Sequence, residues 1–305
     1  MNLSIVIPVY RSENVVRQTV EKILEVTREL DFESEILLVD DGSPDGSWNV
    51  IQALAQENKE VKSIKLVKNY GQHTAVLCGI EHSTGNYIIT MDDDLQNPPE
   101  EIPRLLGKIE EGYDLVFAKF RQKKHASYRR LGSKVVGYLN DKVFHKPKDI
   151  VLSNFRIFTR ELADRIVSYR VNEPYIPGLL LMHAGSMANV ETEHHERQVG
   201  ESNYTFSKIL KLVSRLLFNY SSVPLKSLSV IGGLISLLSF LFGIFVILNQ
   251  IFSGSEVQGW TTLVVLLSFL NGFVILMLGV LGEYVVRLTK TMSYERSYHV
   301  SKVVK

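Results

Sequence analysis

The chain has 305 residues, 45% of them hydrophobic, a formal net charge of +1 and a single cysteine, Cys78. That length holds one substantial domain with something added to it. The near-neutral balance, without zinc spacing, an RNA-binding signature or a basic-aromatic platform, argues against a nucleic-acid partner, and one cysteine excludes an intrachain disulfide and suits a reducing compartment.

From the N-terminus to about residue 118, short apolar runs alternate with longer amphipathic ones, as βαβ units around a mostly parallel sheet require. Strands are expected near 3–7, 35–39, 61–66, 86–91 and 114–118, with helices near 12–30, 45–58, 72–83 and 98–111. No basic segment followed by an apolar signal core precedes the first strand, so this domain is expected to stay in the cytoplasm. Ligands of open α/β sheets bind outside the carboxyl ends of the strands. Three sequences fall there: Pro8-Val9-Tyr10, Asp40-Asp41-Gly42-Ser43, and Asp92-Asp93-Asp94-Leu95-Gln96.

The third of these is the most informative. A two-residue period continued from the strand puts Asp92, Asp94 and Gln96 on one face and turns Asp93 away. Carboxylates at a strand end are the oxygen ligands of Mg²⁺ or Mn²⁺, which in turn neutralises a substrate diphosphate. A solvated acidic turn ahead of Pro98-Pro99 is the other reading of that run taken alone. At the second strand end, one carboxylate can accept from a nucleobase imide or a ribose hydroxyl while Gly42 permits the tight turn; a plain turn with Ser43 or Asp45 as helix cap is the alternative.

Residues 119–145 turn basic and apolar at helical spacing, and 206–220 repeat the pattern. Each reads as an amphipathic helix, either solvated or lying against anionic headgroups. Residues 228–252 and 260–282 carry no charge, and each exceeds the roughly 20 residues that cross a bilayer as a helix. Lys208, Lys211, Arg215 and Lys226 precede the first run, and Arg287, Lys290, Arg296, Lys302 and Lys305 follow the second, so both termini are expected in the cytoplasm. Gly272, Gly279 and Gly282 offer small surfaces through which a homo-oligomer could pack. His194-His195-Glu196 does not make a zinc site, because adjacent histidines on an extended segment face opposite ways.

Taken together, Ile7-Pro8-Val9-Tyr10, Val39-Asp40-Asp41-Gly42-Ser43, Asn69-Tyr70-Gly71-Gln72-His73, Met91 to Glu100, Gly200-Glu201-Ser202 and Leu281-Gly282-Glu283-Tyr284 resemble the family 2 glycosyltransferases of GT-A fold. Within that family they are similar to the polyprenyl-phosphate glycosyltransferases. The resemblance implies a Rossmann-like, mostly parallel GT-A domain over 1–204, a juxtamembrane helix over 205–227, two transmembrane helices with a short loop over 228–287, and a cytoplasmic tail over 288–305. It also implies a multi-pass enzyme of the bacterial inner membrane, acting on a nucleotide-sugar, the UDP form by likeness to the bacterial branch, and on a polyprenyl phosphate.

Carried over residue by residue, Asp92, Asp94 and Gln96 would hold the metal and donor diphosphate, and Asp41 the base. Pro8 and Glu13 would line the nucleotide pocket, with Tyr10, Asp40 and Gly71 on the same side. Arg129 and Ser133 would bind the acceptor phosphate; Arg197 would reach donor or acceptor phosphates, with Ser202 beside it. The chain departs from the pattern at Arg11-Ser12-Glu13, at Asn203 in place of a lysine, at Asp93 in place of a small residue, and at Phe120, which leaves Lys119 or Arg121 as the nearby cation. A polyprenyl monophosphate has a second pKa of about 6 and needs no general base, so its oxygen can attack the anomeric carbon directly, with inversion. Two competitors are a polysaccharide synthase of the same fold, against which stands the lack of Gln-x-x-Arg-Trp, and a catalytically idle scaffold that senses a nucleotide-sugar.

Overall fold

The structure is a computed structural model that describes residues 2–30, 33–120, 141–169, 174–193, 223–253, 259–292 and 297–305, with isolated positions at 137, 213 and 220. It divides into two compact units, residues 1–206 with 295–305, and residues 207–294.

The first unit is built on eight strands. In chain order the elements are β1 (Asn2–Val9), α1 (Val16–Arg28), β2 (Glu33–Asp40), α2 (Ser47–Glu57), β3 (Val61–Leu66), α3 (Gln72–His82), β4 (Tyr87–Thr90), α4 (Ile102–Ile109), β5 (Leu115–Phe120), β6 (Arg156–Thr159), α5 (Arg160–Ser168), α6 (Ile176–His183), β7 (Met187–Thr192) and, from the far end of the chain, β8 (Val300–Val304). Across the sheet the order is β7-β5-β6-β4-β1-β2-β3-β8. β6 runs antiparallel to both β4 and β5, β8 runs antiparallel to β3, and the remaining pairings are parallel. This is the mixed, mostly parallel sheet expected of a GT-A domain.

Helices on both faces explain why β1 and β2 read as apolar runs rather than alternations. Ile5, Ile7, Ile36 and Leu38 share one cluster with Val20 and Ile23 of α1, Ile51 of α2 and Leu105 of α4. α3 packs on β1 and β2 from the other face. It can approach closely because position 79 is glycine: a Cβ there would overlap Val6 Cγ1 and lie 3.3 Å from Val39 Cγ2.

Two expectations are corrected here. The stretch after the second apolar run is not simply a tail, because its residues 300–304 complete the sheet edge beside β3. Alternation does not continue through the acidic run either: β4 stops at Thr90, bends follow, and Leu95 adopts a φ of +59° with its side chain buried.

The second unit contains α7 (Val223–Ser253) and α8 (Trp260–Met292). They approach at Gly232, where a Cβ would come within 3.3 Å of Met277 Sδ and 3.6 Å of Phe273. Large apolar side chains face outward on both helices, among them Phe245, Ile251, Phe269 and Ile275. Among the described residues one helical window, Phe269–Val286, is long and apolar enough to cross a membrane; Leu225–Ile235 is a shorter apolar helix.

Gly79→Ala inserts a methyl group against β1 with no room to relax. We expect it to destabilise the first unit by about 1–3 kcal/mol, measured by chemical denaturation in detergent.

Candidate active site

Three strand ends are brought together by register. β1 pairs in parallel with β2 up to Val9↔Asp40 and with β4 up to Val6↔Thr90, so the segments that leave β1, β2 and β4 share one edge of the sheet. That edge is the crevice of an open α/β sheet.

After β1, Pro8 is half-buried and Tyr10 is exposed, with the Arg11 guanidinium 5.4 Å from its ring centroid. Arg11 has a φ of +57° and donates its N–H to Ser43 Oγ at 3.2 Å; Ser12 N–H donates to Ser47 Oγ at 2.8 Å. The Glu13 carboxylate accepts the Gly46 N–H at 2.7 Å, occupying one of the amides that a helix start leaves without an intrahelical partner. Arg11-Ser12-Glu13 thus fastens the first strand end to the turn before α2.

After β2, the two acids differ in their bonding. Both oxygens of Asp41 are engaged, Oδ1 by Tyr70 N–H at 2.7 Å and Oδ2 by Gly71 N–H at 2.9 Å. Asp40 accepts Ser43 N–H at 3.1 Å through Oδ1, while its Oδ2 is buried and, among the described residues, has no partner. Gly42 allows the close passage of the 68–71 loop: its φ is +64°, and a Cβ would lie 2.5 Å from the Lys68 carbonyl carbon and 2.7 Å from Asn69 N. Gly71 also takes a left-handed conformation, φ +96°. Burial raises the Asp41 carboxyl to about 6 against the pull of the two amides, and the neighbouring Asp40 adds to the rise.

After β4, Asp92 accepts from Gln72 Nε2 at 2.7 Å and from Asn154 Nδ2 at 3.3 Å. Asp94 accepts from the Gln96 backbone at 3.2 Å and from Gln96 Nε2 at 2.8 Å. Burial, then the charge of Asp94, raise the Asp92 pKa; the buried Arg156 guanidinium pulls it back. Arg156 donates to Thr90 Oγ1 at 3.0 Å and to the Ser153 carbonyl at 3.4 Å, and burial brings its own pKa down to about 10. Asp93 meets α1 instead: Thr19 Oγ1 donates to its carbonyl at 2.8 Å, and burial pushes its carboxyl up to about 7 against the pull of the Ser12 hydroxyl.

Of the cationic candidates, Lys119 is exposed on β5, opposite Glu191 of β7. Arg121, Arg129, Ser133, Arg197 and Ser202 lie outside the described residues. Gln72, Asn154 and Arg156 are the contacts sequence reasoning did not assign. Asn154 and Arg156 reach β4 only because β6 inserts between β4 and β5, which nothing in their local sequence announces. The one available signal was a charge, Arg156, opening the apolar run Ile157-Phe158.

No group of three or more His, Cys, Asp or Glu side chains among the described residues is arranged to hold a metal unaided. The donor set nonetheless fits Mg²⁺ or Mn²⁺, which bind through one or two carboxylates and take further oxygens from a substrate diphosphate. Asp92, Asp94 and the Gln96 amide oxygen are such a set, and the mutual repulsion of the two acids favours a cation.

A mixed, mostly parallel sheet with acids gathered at its switch-point edge fits the class of GT-A glycosyltransferases. Residues 4–167 match glycosyl transferase family 2, and the chain belongs to that family. It is 34% identical, over 99% of its length and 94% of the relative, to the undecaprenyl-phosphate 4-deoxy-4-formamido-L-arabinose transferase of Proteus mirabilis. It is 36% identical, over 99% and 92%, to the protein of the same name from Shewanella sediminis. Among solved structures it resembles glucosyl-3-phosphoglycerate synthase from Mycobacterium tuberculosis, crystallised with Mn²⁺, uridine diphosphate and phosphoglyceric acid. There the TM-score is 0.54 at 20% identity, covering 72% of this chain and 76% of the other, which is a likeness of fold.

Because Asp41 has a raised pKa, the folded state binds more protons than the unfolded chain between the ordinary carboxylate range and about pH 6. Its contribution to stability therefore falls as pH rises through that window. We expect Asp41→Asn to gain in melting temperature relative to wild type between about pH 4 and about pH 6, with a constant difference above about pH 7. Parallel melting curves across the range would contradict the assignment.

Proposed function

We propose that this glycosyltransferase moves a sugar from a nucleotide-sugar, the UDP form, to undecaprenyl phosphate or a related polyprenyl phosphate. The reaction takes place at the cytoplasmic face of the bacterial inner membrane, inverts the anomeric carbon, and supplies a lipid-linked sugar for modification of a cell-envelope glycan. The observation that carries this reading is the extent of the likeness to transferases named for undecaprenyl phosphate: it covers 99% of the chain, apolar C-terminal helices included.

The membrane reading is supported by connectivity. The chain leaves the first unit at Phe206 and re-enters it at Glu295, and its last strand belongs to the same sheet as its first. A folded unit lies on one side of a membrane, so the chain between must cross an even number of times. If Phe269–Val286 crosses, α7 is the segment that crosses back; its 31 residues extend about 46 Å as a helix, against about 30 Å of hydrocarbon. Both termini then remain on the cytoplasmic side. The open faces at Gly272, Gly279 and Gly282 are available for helix packing between copies.

The residues divide the work as follows. Asp92, Asp94 and Gln96 hold the divalent cation. Asp40, whose buried Oδ2 has no partner among the described residues, and Asp41, which fixes the 70–71 amides, receive the nucleoside beside Pro8, Tyr10, Glu13 and Gly71. Arg129 and Ser133 bind the acceptor phosphate, aided by Lys119 or Arg121, with Arg197 and Ser202 contributing to the phosphate contacts; the planar fork of arginine suits that task. When bound, the cation neutralises the diphosphate and stabilises it as it leaves. Asp92 and Asp94 serve as ligands rather than bases, because a dianionic acceptor arrives already deprotonated at neutral pH. The protein's remaining contribution is to hold two anions in line for attack.

The test offers undecaprenyl phosphate a panel of radiolabelled UDP- and GDP-sugars, including the 4-deoxy-4-formamido-L-arabinose donor, with Mn²⁺ or Mg²⁺ and with chelator. We expect lipid-linked product from a UDP-sugar, abolished by chelator and reduced at least about a hundredfold in Asp94→Ala. Nucleotide-sugar binding without lipid product from any donor would overturn the acceptor assignment.

A further inference from the structure

The end of the chain grips the donor side of the crevice at two points. β8 pairs antiparallel with β3 from Ser63↔Val304 to Leu66↔Val300, and the ladder is prolonged by Val67 N–H donating to the His299 carbonyl at 3.0 Å. Val67 opens the segment that ends in Tyr70 and Gly71, the two amides held by Asp41. The second grip is on α3. Tyr298 is buried, at 3% exposure, and its hydroxyl donates to Glu81. α3 begins with Gln72, whose side chain holds Asp92. A third contact closes the edge: the ammonium groups of Lys65 and Lys302 lie 5.3 Å and 6.0 Å from the Trp48 ring centroid.

Between these grips lies the 67–72 segment, which carries the backbone N–H groups bonded to Asp41 and the amide bonded to Asp92. Within it Gly71 is glycine for its backbone conformation alone, since a Cβ there would meet nothing within 4 Å. The segment is therefore shaped from outside, by Asp41 on one side and the terminal strand on the other.

We propose that residues 297–305 are a positioning element for the nucleotide-sugar site, holding the 67–72 segment in the conformation that fixes Asp41 and Asp92, with Tyr298 as the residue that sets it. The inference rests on the proposed nucleotide-sugar reading for its functional consequence, though not for its structural one.

The test uses the full-length protein in detergent, with Tyr298→Ala and the milder Tyr298→Phe, which keeps the ring and removes the hydroxyl. Amide hydrogen exchange and steady-state kinetics are read together. We expect Tyr298→Ala to speed exchange of the 67–72 amides by about tenfold or more while the β1 and β2 amides keep their protection. The donor KM should rise by about fivefold or more with the acceptor KM unchanged, and Tyr298→Phe should fall between wild type and Tyr298→Ala on both readouts. If Tyr298→Ala loosens β1 and β2 as well, Tyr298→Phe decides alone by the same criteria. Unchanged 67–72 exchange, or donor and acceptor KM values rising together, would overturn the proposal. Failure of the wild-type protein to use any nucleotide-sugar would instead sink the functional reading, and the exchange comparison would still stand.

Discussion

Two carboxylates at the end of β4 repel one another, and the fold holds them in place with neutral amides. Asp92 is bonded by Gln72 and Asn154, and Asp94 by Gln96. The buried Arg156 guanidinium acts on Asp92 by its charge, while its hydrogen bonds go to Thr90 and Ser153. Buried charge is tolerated where it is paired or coordinates a metal. Two acids oriented side by side in this way are suited to a cation that arrives with the substrate. The rest of the sheet serves this arrangement: α3 delivers Gln72 from one side of β4, and β6 delivers Asn154 and Arg156 from the other.

The second acid pair solves a different problem. Asp41 holds a loop through two backbone amides, and Gly42 lets that loop pass close by. Under the proposed reading, donor recognition would depend on the geometry of the 68–71 loop as much as on any side chain presented to the ligand. That loop continues from β3, the strand that β8 covers, so the far end of the chain belongs to the same mechanical unit as the first strand. A domain whose termini share one sheet also constrains the apolar helices between them to cross a membrane in pairs or not at all.

Much of this was readable from residues alone, for physical reasons. Parallel strands buried on both faces write long apolar runs, so β1 to β5 and the helices between them stood out. The acids at strand ends stood out because packing gives no reason for them. β6, β7 and β8 were missed for the opposite reason: β6 is four residues opening on Arg156, β7 carries Asn189 and Glu191, and β8 carries Lys302 on an exposed edge, so none produces a long apolar run. The acidic run was read as an extension of the strand, whereas Leu95 turns inward at positive φ and breaks the alternation. Gln72 lay inside a recognised motif, but its bond to Asp92 is a tertiary contact that no spacing reveals.

The claim most exposed to measurement is that Asp92 and Asp94 form an incomplete metal site which a donor diphosphate completes. Titration of Mn²⁺ followed by its electron paramagnetic resonance signal, with and without UDP, tests this directly. The account predicts weak binding of Mn²⁺ alone, at least about tenfold tighter binding with saturating UDP, and an equal enhancement of UDP affinity by Mn²⁺, as linkage requires. Mn²⁺ affinity indifferent to UDP would contradict it.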